Sequence, residues 1–187
     1  SDEKGNIIDG DNILAIISNY DSRLGKNKPV VNTKMSNLSF RNFMKSSKIK
    51  LILSDVGDRY VIEKMKKYKA RLGGEPSGHI IFSDNGYCGD GILTAMYIIN
   101  IFISSGEKLS HFYKGLYKKS YQRLINISTK EDPIKIIKEK EILKIKKEIS
   151  SKKDLDLLIR KSGTENLLRI MVQSSIKSDV DNSIKRI

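Results

Sequence analysis

One polar turn between two apolar segments combines residues that could bind a phosphate. Arg160 brings positive charge and a forked set of donors, and Ser162 and Thr164 bring hydroxyl donors. Gly163 would let the backbone approach an anion with a positive φ at no steric cost. This combination predicts a phosphate-binding loop, although an ordinary surface hairpin with turn-forming Ser, Gly and Thr remains open. The full turn reads Arg160-Lys161-Ser162-Gly163-Thr164-Glu165.

The segments on either side of this turn predict two strands. Residues 155–160 lead into the turn and residues 166–173 lead away from it, both rich in Leu, Ile and Val. The second strand brings Arg169 back to the same end of the hairpin. The expected cluster therefore contains two arginines.

A glycine-rich segment before the predicted strand 80–82 could bind a sugar. If residues 75–79 are extended, residues two apart project to the same side, and Glu75, Ser77 and His79 share one face. A carboxylate accepts from neighbouring hydroxyls, and Ser and His can both donate and accept. The alternative is a solvated glycine-rich turn.

Two further segments hold acidic residues at predicted loop or helix ends. Asp58 and Arg59 follow the predicted strand 49–53, where loops of α/β sheets contact ligands, but a capping Asp beside a solvated Arg is an alternative. Asp9 and Asp11 could attract Mg²⁺. However, Asp11 stands at the expected N-cap of the next helix, and no third carboxylate follows.

The order of elements predicts an α/β domain, with a mixed sheet and flanking helices, followed by a small α+β C-terminal domain. The expected boundaries are a tail of a preceding domain at 1–11, the α/β domain at 12–118 and the α+β domain at 119–187, cut short at its C-terminus. Helix 92–104 is apolar nearly all round and is expected to be buried between layers. Residues 133–149 are expected to form one helix.

Composition favours an ordered protein of the cytoplasm. The chain has 187 residues, 39% of them hydrophobic, and only 3 prolines. Its single cysteine, Cys88, excludes an internal disulfide and a cysteine-built zinc site. The longest apolar run, at 92–103, is too short to span a bilayer.

The net charge of +13 raises nucleic acid as a partner, but the pattern argues against it. Lysines are scattered, and the densest run, at 138–153, alternates Lys with Glu at helical spacing beside an isoleucine stripe. This pattern is typical of an amphipathic docking helix. A nucleic-acid-binding module is therefore the less favoured alternative.

Four motifs together resemble the C-terminal half of bacterial phosphoglucosamine mutases, in the α-D-phosphohexomutase superfamily. They occur in the family's order and spacing, and the resemblance covers essentially the whole chain. The motifs are Val56-Gly57-Asp58-Arg59-Tyr60-Val61, Gly73-Gly74-Glu75-Pro76-Ser77-Gly78-His79, Gly89-Asp90-Gly91-Ile92 and Arg160-Lys161-Ser162-Gly163-Thr164-Glu165.

The resemblance implies an isomerase that interconverts glucosamine 6-phosphate and glucosamine 1-phosphate through a phosphoserine and a bisphosphate intermediate, for cell-wall precursor synthesis. Family members have four domains, and this chain matches the third and fourth. The catalytic Ser and the Mg²⁺ loop belong to the first two, so Mg²⁺ is implied for the full-length family with no ligand in this chain. Segment 9–11 resembles a second Asp-Gly-Asp that follows the metal loop.

The resemblance also implies the site residues. Glu75, Ser77 and His79 would hold sugar hydroxyls, with Asp58 and Arg59 as further loop contacts. The phosphate would be held by Arg160, Ser162, Gly163, Thr164 and Arg169. The implied partners are a hexosamine phosphate and the N-terminal half of the same enzyme, without which the chain is expected to bind but not to catalyse. A non-catalytic half of a split or truncated mutase is the alternative.

One departure from the family concerns the phosphate loop. Family members usually have Pro directly after the Glu of this loop, and here Asn166 takes that place. The substitution removes a fixed φ from the loop.

Overall fold

A computed structural model describes residues 1–21, 24, 28–152, 154–163 and 165–187. The chain divides into two compact units, Ser1–Lys118 and Lys119–Ile187. The first is an α/β unit with a mixed sheet and flanking helices, and the second is a small α+β unit with an antiparallel sheet. The predicted fold class is confirmed.

The first unit is built on a four-stranded sheet in the order β2-β1-β3-β4. Strand β1 is parallel to β2 and β3, and β3 is antiparallel to β4. The described elements are α1 (Gly10–Tyr20), β1 (Val30–Thr33), α2 (Leu38–Ser46), β2 (Leu51–Ser54), α3 (Asp58–Tyr68), β3 (Leu72–Gly74), β4 (Ile80–Phe82), α4 (Gly91–Ser105) and α5 (Leu109–Lys114), with a 3₁₀ turn at Ser83–Asn85.

Helices cover both faces of this sheet. Leu14 of α1 and Phe40 of α2 belong to one buried cluster with Leu72 of β3. Val61 and Met65 of α3 belong to a second buried cluster, together with Val31 of β1 and Ile81 of β4, on the opposite face of the sheet. Each helix buries one apolar stripe against the sheet, and this burial explains why strands alternate with amphipathic helices in the sequence.

Asp9, and not Asp11, caps α1. The Asp9 carboxylate accepts a hydrogen bond from the backbone N of Asn12 at 3.1 Å. Asp11 is buried in the first turn, where it accepts from the Asn32 side chain and the Asn37 backbone N, both at 2.7 Å. The prediction of Asp11 as the cap was wrong by two residues, because the helix starts at Gly10.

Helix α4 is not buried between layers, contrary to the prediction. Leu93, Tyr97 and Ile101 pack on the core, whereas Ile92, Ile99 and other apolar residues of α4 are exposed. Only one stripe of the helix meets the unit, because α4 is an outer layer on α1 and the sheet. Uniform apolarity does not distinguish an enclosed helix from one with a second apolar face left open.

The second unit has a three-stranded antiparallel sheet in the order β5-β7-β6. Ile149, Leu157 and Val172 belong to the cluster buried between the sheet and its helices. The described elements are β5 (Tyr121–Ser128), α6 (Pro133–Ile137), α7 (Lys140–Ser150), β6 (Leu155–Lys161), β7 (Leu167–Ser174) and α8 (Lys177–Arg186).

The predicted single helix at 133–149 is two helices. Asp132 caps α6 through the backbone N of Ile134, with Pro133 in the first turn. Glu139 has an extended backbone (φ −62°, ψ 142°) and separates α6 from α7. The apolar periodicity continues across this break, which is why the sequence pattern predicted one helix. None of the described helices is long and apolar enough to cross a membrane.

Candidate functional site

Arg160 and Arg169 are direct cross-strand partners in the β6–β7 hairpin. Both side chains are partly buried, and their Nε atoms are buried without a hydrogen-bond partner among the described residues. Like charges placed directly opposite each other destabilise a sheet. A bound anion would satisfy both guanidinium groups and remove this repulsion.

The pKa of Arg160 is lowered, first by burial and then by the neighbouring charge of Arg169. Arginine nonetheless stays protonated in proteins, so the two charges persist. Glu165 lies 3.7 Å from Arg169 (Oε2 to Nη2), which compensates one of them only in part. Lys161 forms an ion pair with Asp132 (Nζ to Oδ1, 3.5 Å) and is not part of the arginine pair.

Ser162 adds a donor to this end of the hairpin. Its side chain is buried, and Oγ has no hydrogen-bond partner within the described ranges. Gly163 is exposed, and apart from its chain neighbours no described residue lies within 4 Å of a Cβ built on it. It lacks the positive φ that was predicted. Gly163 would therefore leave room for a ligand because it has no side chain, and not because its backbone is left-handed. Thr164 lies outside the described residues.

Asn166 ties the chain that follows the predicted phosphate-binding turn to Thr129, next to the end of β5. Its side-chain Nδ2 donates to the carbonyl of Thr129 at 3.1 Å, and its own carbonyl accepts from the Thr129 N at 3.4 Å. The backbone N of Ser162 also donates to Leu167 O at 2.9 Å. Hydrogen bonds thus hold the chain at Ser162 and at Asn166, on either side of the predicted turn.

Residues 75–79 form a tight loop between β3 and β4, so the assumption of an extended segment was wrong. The Glu75 N donates to the His79 carbonyl, and the Gly78 N donates to the Glu75 carbonyl, each at 3.0 Å. Gly78 has φ +96°, a left-handed conformation that favours glycine. Ser77 is exposed at the tip. The alternation of side chains along a strand therefore does not bring Glu75, Ser77 and His79 together.

The loop instead brings Glu75 and His79 to the start of α3. Glu75 Oε1 accepts a hydrogen bond from the Gly57 N at 3.0 Å. His79 Nε2 lies 4.0 Å from Asp58 Oδ2. Asp58 thus joins the predicted sugar-binding residues, whereas the exposed Arg59 pairs with Glu63 at 3.1 Å.

Two glycines, neither of which was predicted to contact this loop, allow the close packing. Gly10 donates its N–H to the Pro76 carbonyl at 3.0 Å, and a Cβ built on it would lie 1.9 Å from the Glu75 carbonyl oxygen. A Cβ built on Gly89 would lie 2.3 Å from the His79 ring. The Asp-Gly dipeptide at residues 9–10 and the Gly-Asp-Gly tripeptide at residues 89–91 were the signal available in the sequence.

A surface cavity of about 400 Å³ opens beside this loop. Its volume lies within the usual range for ligand pockets, roughly 300–1,000 Å³. The cavity is lined by Ser77, Gly78, His79, Ile80, Gly89, Asp90 and Gly91. Two of the three predicted sugar-binding residues therefore line one cavity.

The segment 9–11 does not fit a magnesium site. The Asp9 carboxylate caps α1, and both Asp11 oxygens accept hydrogen bonds from neighbouring elements. In the part of the chain that the structure describes, no group of three or more His, Cys, Asp or Glu side chains could hold a metal ion. The structure thus gives no reason to assign Mg²⁺ to these residues.

Residues 9–120 match the alpha/beta/alpha domain III of the phosphoglucomutase/phosphomannomutase family. The chain is 40% identical over its full length to the phosphoglucosamine mutase of Geobacillus kaustophilus and spans 42% of that protein. It is 44% identical, over 96% of its length, to the phosphoglucosamine mutase of Clostridium kluyveri, of which it spans 41%.

A solved structure has the same fold. The N-acetylphosphoglucosamine mutase of Aspergillus fumigatus, in complex with GlcNAc-6P and magnesium, matches 97% of this chain with a TM-score of 0.78 and 19% sequence identity. The match covers 46% of that protein. Less than half of each of these relatives is therefore represented here.

Proposed function

Because the chain belongs to the phosphoglucomutase/phosphomannomutase family, we propose that it is the substrate-binding C-terminal part of a phosphoglucosamine mutase. The whole enzyme would interconvert glucosamine 6-phosphate and glucosamine 1-phosphate through a phosphoserine and a bisphosphate intermediate. The names of its curated relatives support this substrate.

The observation that carries the proposal is the arginine pair on β6 and β7. Arg160 and Arg169 hold two positive charges side by side, with a buried donor on each that has no partner within the described residues. A phosphate can accept from both guanidinium groups and from the Ser162 hydroxyl. Gly163 leaves open space for it, and Thr164 completes the proposed set.

The sugar hydroxyls would be recognised by the loop at 75–79. Ser77 and His79 line the cavity, and Glu75 uses one carboxylate oxygen to hold the Gly57 N–H. A carboxylate has further lone pairs with which it can accept from a hydroxyl. Asp58 would orient the His79 ring, and Arg59 would be a peripheral contact.

Recognition and catalysis would reside in different parts of the enzyme. Phosphoryl transfer depends on positioning and on electrostatic stabilisation of the transferred group. In the family, a phosphoserine and Mg²⁺ supply that chemistry from the first two domains, whose motifs this sequence does not contain. We therefore expect this chain alone to bind substrate without turnover, and to need an N-terminal half as its partner. A cytoplasmic location accords with the single, exposed Cys88.

Isothermal titration of the chain with glucosamine 6-phosphate tests the binding proposal. We expect saturable binding that unphosphorylated glucosamine does not reproduce and that Arg160→Gln or Arg169→Gln weakens at least tenfold. Arg123→Gln is the matched control, because Arg123 is also a strand arginine but pairs with Asp181 at 3.1 Å. Absence of binding to any hexosamine phosphate would refute the proposal, and salt-sensitive binding to duplex DNA would favour the nucleic-acid alternative.

A mutase assay tests the division of labour. The chain is incubated with glucosamine 1-phosphate, glucosamine 1,6-bisphosphate and Mg²⁺, with and without the N-terminal half of the Geobacillus kaustophilus enzyme. We expect turnover only when both parts are present. Turnover by this chain alone would contradict the proposed division.

A further inference from the structure

Helix α4 presents an unpartnered apolar stripe. Ile92, Met96, Ile99 and Ile103 follow one another at intervals of four, three and four residues, which places them on one face. Their exposed fractions are 78%, 61%, 52% and 70%. Residues at this spacing on a helix of a soluble protein normally contact a second element.

The same face borders two apolar grooves. One, of about 370 Å³, is lined by Ile98, Ile99, Phe102 and Leu109, with Glu3 and Lys108 at its rim. The other, of about 290 Å³, is lined in part by Ser1 and Ile8 and by Thr94, Ala95, Ile98 and Ile99 of α4. The stripe and the grooves together form a continuous surface along α4.

We propose that this surface, which we call the α4 face (Ile92, Met96, Ile99, Phe102 and Ile103), binds the N-terminal part of the mutase polypeptide. The inference rests on the proposed function, because it specifies where the partner of this chain docks. The chain spans 42% of the Geobacillus kaustophilus relative, so more than half of that polypeptide is available to cover an exposed face.

The position of the first residues selects this occupant. Ser1 and Ile8 line the second groove, so any residues that precede Ser1 would start at the edge of the α4 face. Hydrogen bonds to α5 hold the first residues of the chain at this position. Tyr113 of α5 donates to Asp2 Oδ2 at 2.8 Å, and the Ser110 N donates to Glu3 Oε2 at 3.1 Å.

The chemistry of the face also specifies its partner. Helix α4 has no charged residue between Gly91 and Ser105, so the partner surface must be predominantly apolar. Glu3, Glu107 and Lys108 lie at one end and would form a polar rim. A region covalently joined at Ser1 has a high effective concentration at this face, which favours it over a second copy of the chain.

Thiol labelling tests the proposal directly. Ile99→Cys is introduced in a Cys88→Ser background, both in the isolated chain and in a chimera that carries the N-terminal half of the Geobacillus kaustophilus enzyme before Ser1. We expect the maleimide reaction to be at least tenfold slower in the chimera. The control is Ile134→Cys on α6, another exposed isoleucine, whose labelling rate should not change.

A second comparison does not depend on labelling. Ile99→Lys should change the Tm of the isolated chain by no more than about 1 °C, because the side chain is exposed, and should lower that of the chimera by about 5 °C or more. Equal labelling or equal Tm shifts in both proteins would overturn the proposal. So would slow labelling of the isolated chain that quickens on dilution, because a second copy would then cover the face. Hexosamine phosphate binding by the isolated chain is measured separately, so failure of the docking proposal leaves the proposed function intact.

Discussion

Glu75 Oε1 accepts the backbone N–H of Gly57 across a distance of 3.0 Å. Gly57 is the N-cap residue of α3 and has no capping side chain of its own. A residue from the β3–β4 loop therefore fixes the turn that precedes the helix. The carboxylate proposed to bind a sugar hydroxyl also has a structural role, and the two roles can be separated by substitution.

We predict that Glu75→Ala destabilises the first unit, whereas Glu75→Gln does so far less. Alanine removes the acceptor of the Gly57 N–H, and loss of such a capping hydrogen bond costs about 1 kcal/mol of unfolding free energy. Glutamine retains an oxygen acceptor but loses the charge. Urea unfolding compares the two variants, and titration with glucosamine 6-phosphate should show weakened binding for both. Equal stability of the two variants would mean that the Gly57 bond contributes little.

Gly10→Ala is predicted to weaken sugar recognition through displacement of the 75–79 loop. The added Cβ would lie 1.9 Å from the Glu75 carbonyl oxygen, so α1 or the loop must shift. We expect affinity for glucosamine 6-phosphate to fall about tenfold, an effect of about 1.4 kcal/mol, while inorganic phosphate binds as before. Gly115→Ala is the matched control, because the nearest atom to its Cβ is 3.9 Å away. Unchanged sugar phosphate affinity in the Gly10 variant would contradict the positioning role.

Arg169→Gln is predicted to stabilise the ligand-free chain while it weakens phosphate binding. The substitution removes a charge directly opposite Arg160, and like charges placed directly opposite each other destabilise a sheet. Inorganic phosphate should raise the Tm of the wild-type chain and leave that of the variant nearly unchanged. Thermal unfolding at several phosphate concentrations measures both effects. A Tm of the variant that rises with phosphate as in wild type would refute the anion site at this pair.

The sequence predicted the elements of both units better than their packing. The position of Arg160 and Arg169 at the same end of one hairpin followed from two strands and one short turn, whereas their direct pairing was seen only in the strand register. The exposure of Ile99 could not be predicted, since it depends on which neighbours cover α4. The cap position of Asp9 depended on whether α1 starts at residue 10 or 12, a difference that apolar periodicity does not resolve.

The candidate site shows the same division between local pattern and tertiary contact. The hydrogen-bonding side chains of Glu75, His79 and Asp58 were sufficient to predict them as candidate ligand contacts. That Glu75 holds Gly57, or that Gly10 packs on the loop, depends on contacts between residues distant in sequence. The Asp-Gly-Asp segment at residues 9–11 was interpreted as a helix cap or a metal loop, and its residue types do not reveal that Gly10 packs on the 75–79 loop.

Acid should selectively remove the stabilising effect of Asp2. Burial raises the pKa of this carboxyl, but hydrogen bonds from Asn6, Tyr113 and Lys4 outweigh it and hold the pKa well below the ordinary value of 3.8. Because the folded pKa is below the unfolded one, the carboxylate contributes its full stability above pH 3.8 and loses it as the pH falls below that value. Asp2→Asn should therefore lower the Tm most at neutral pH, and the difference from wild type should shrink steadily in acid. Asp181→Asn, at an exposed ion pair with Arg123, is the control, and a Tm difference for Asp2→Asn that stays constant between pH 7 and pH 2 would show that the Asp2 charge does not contribute.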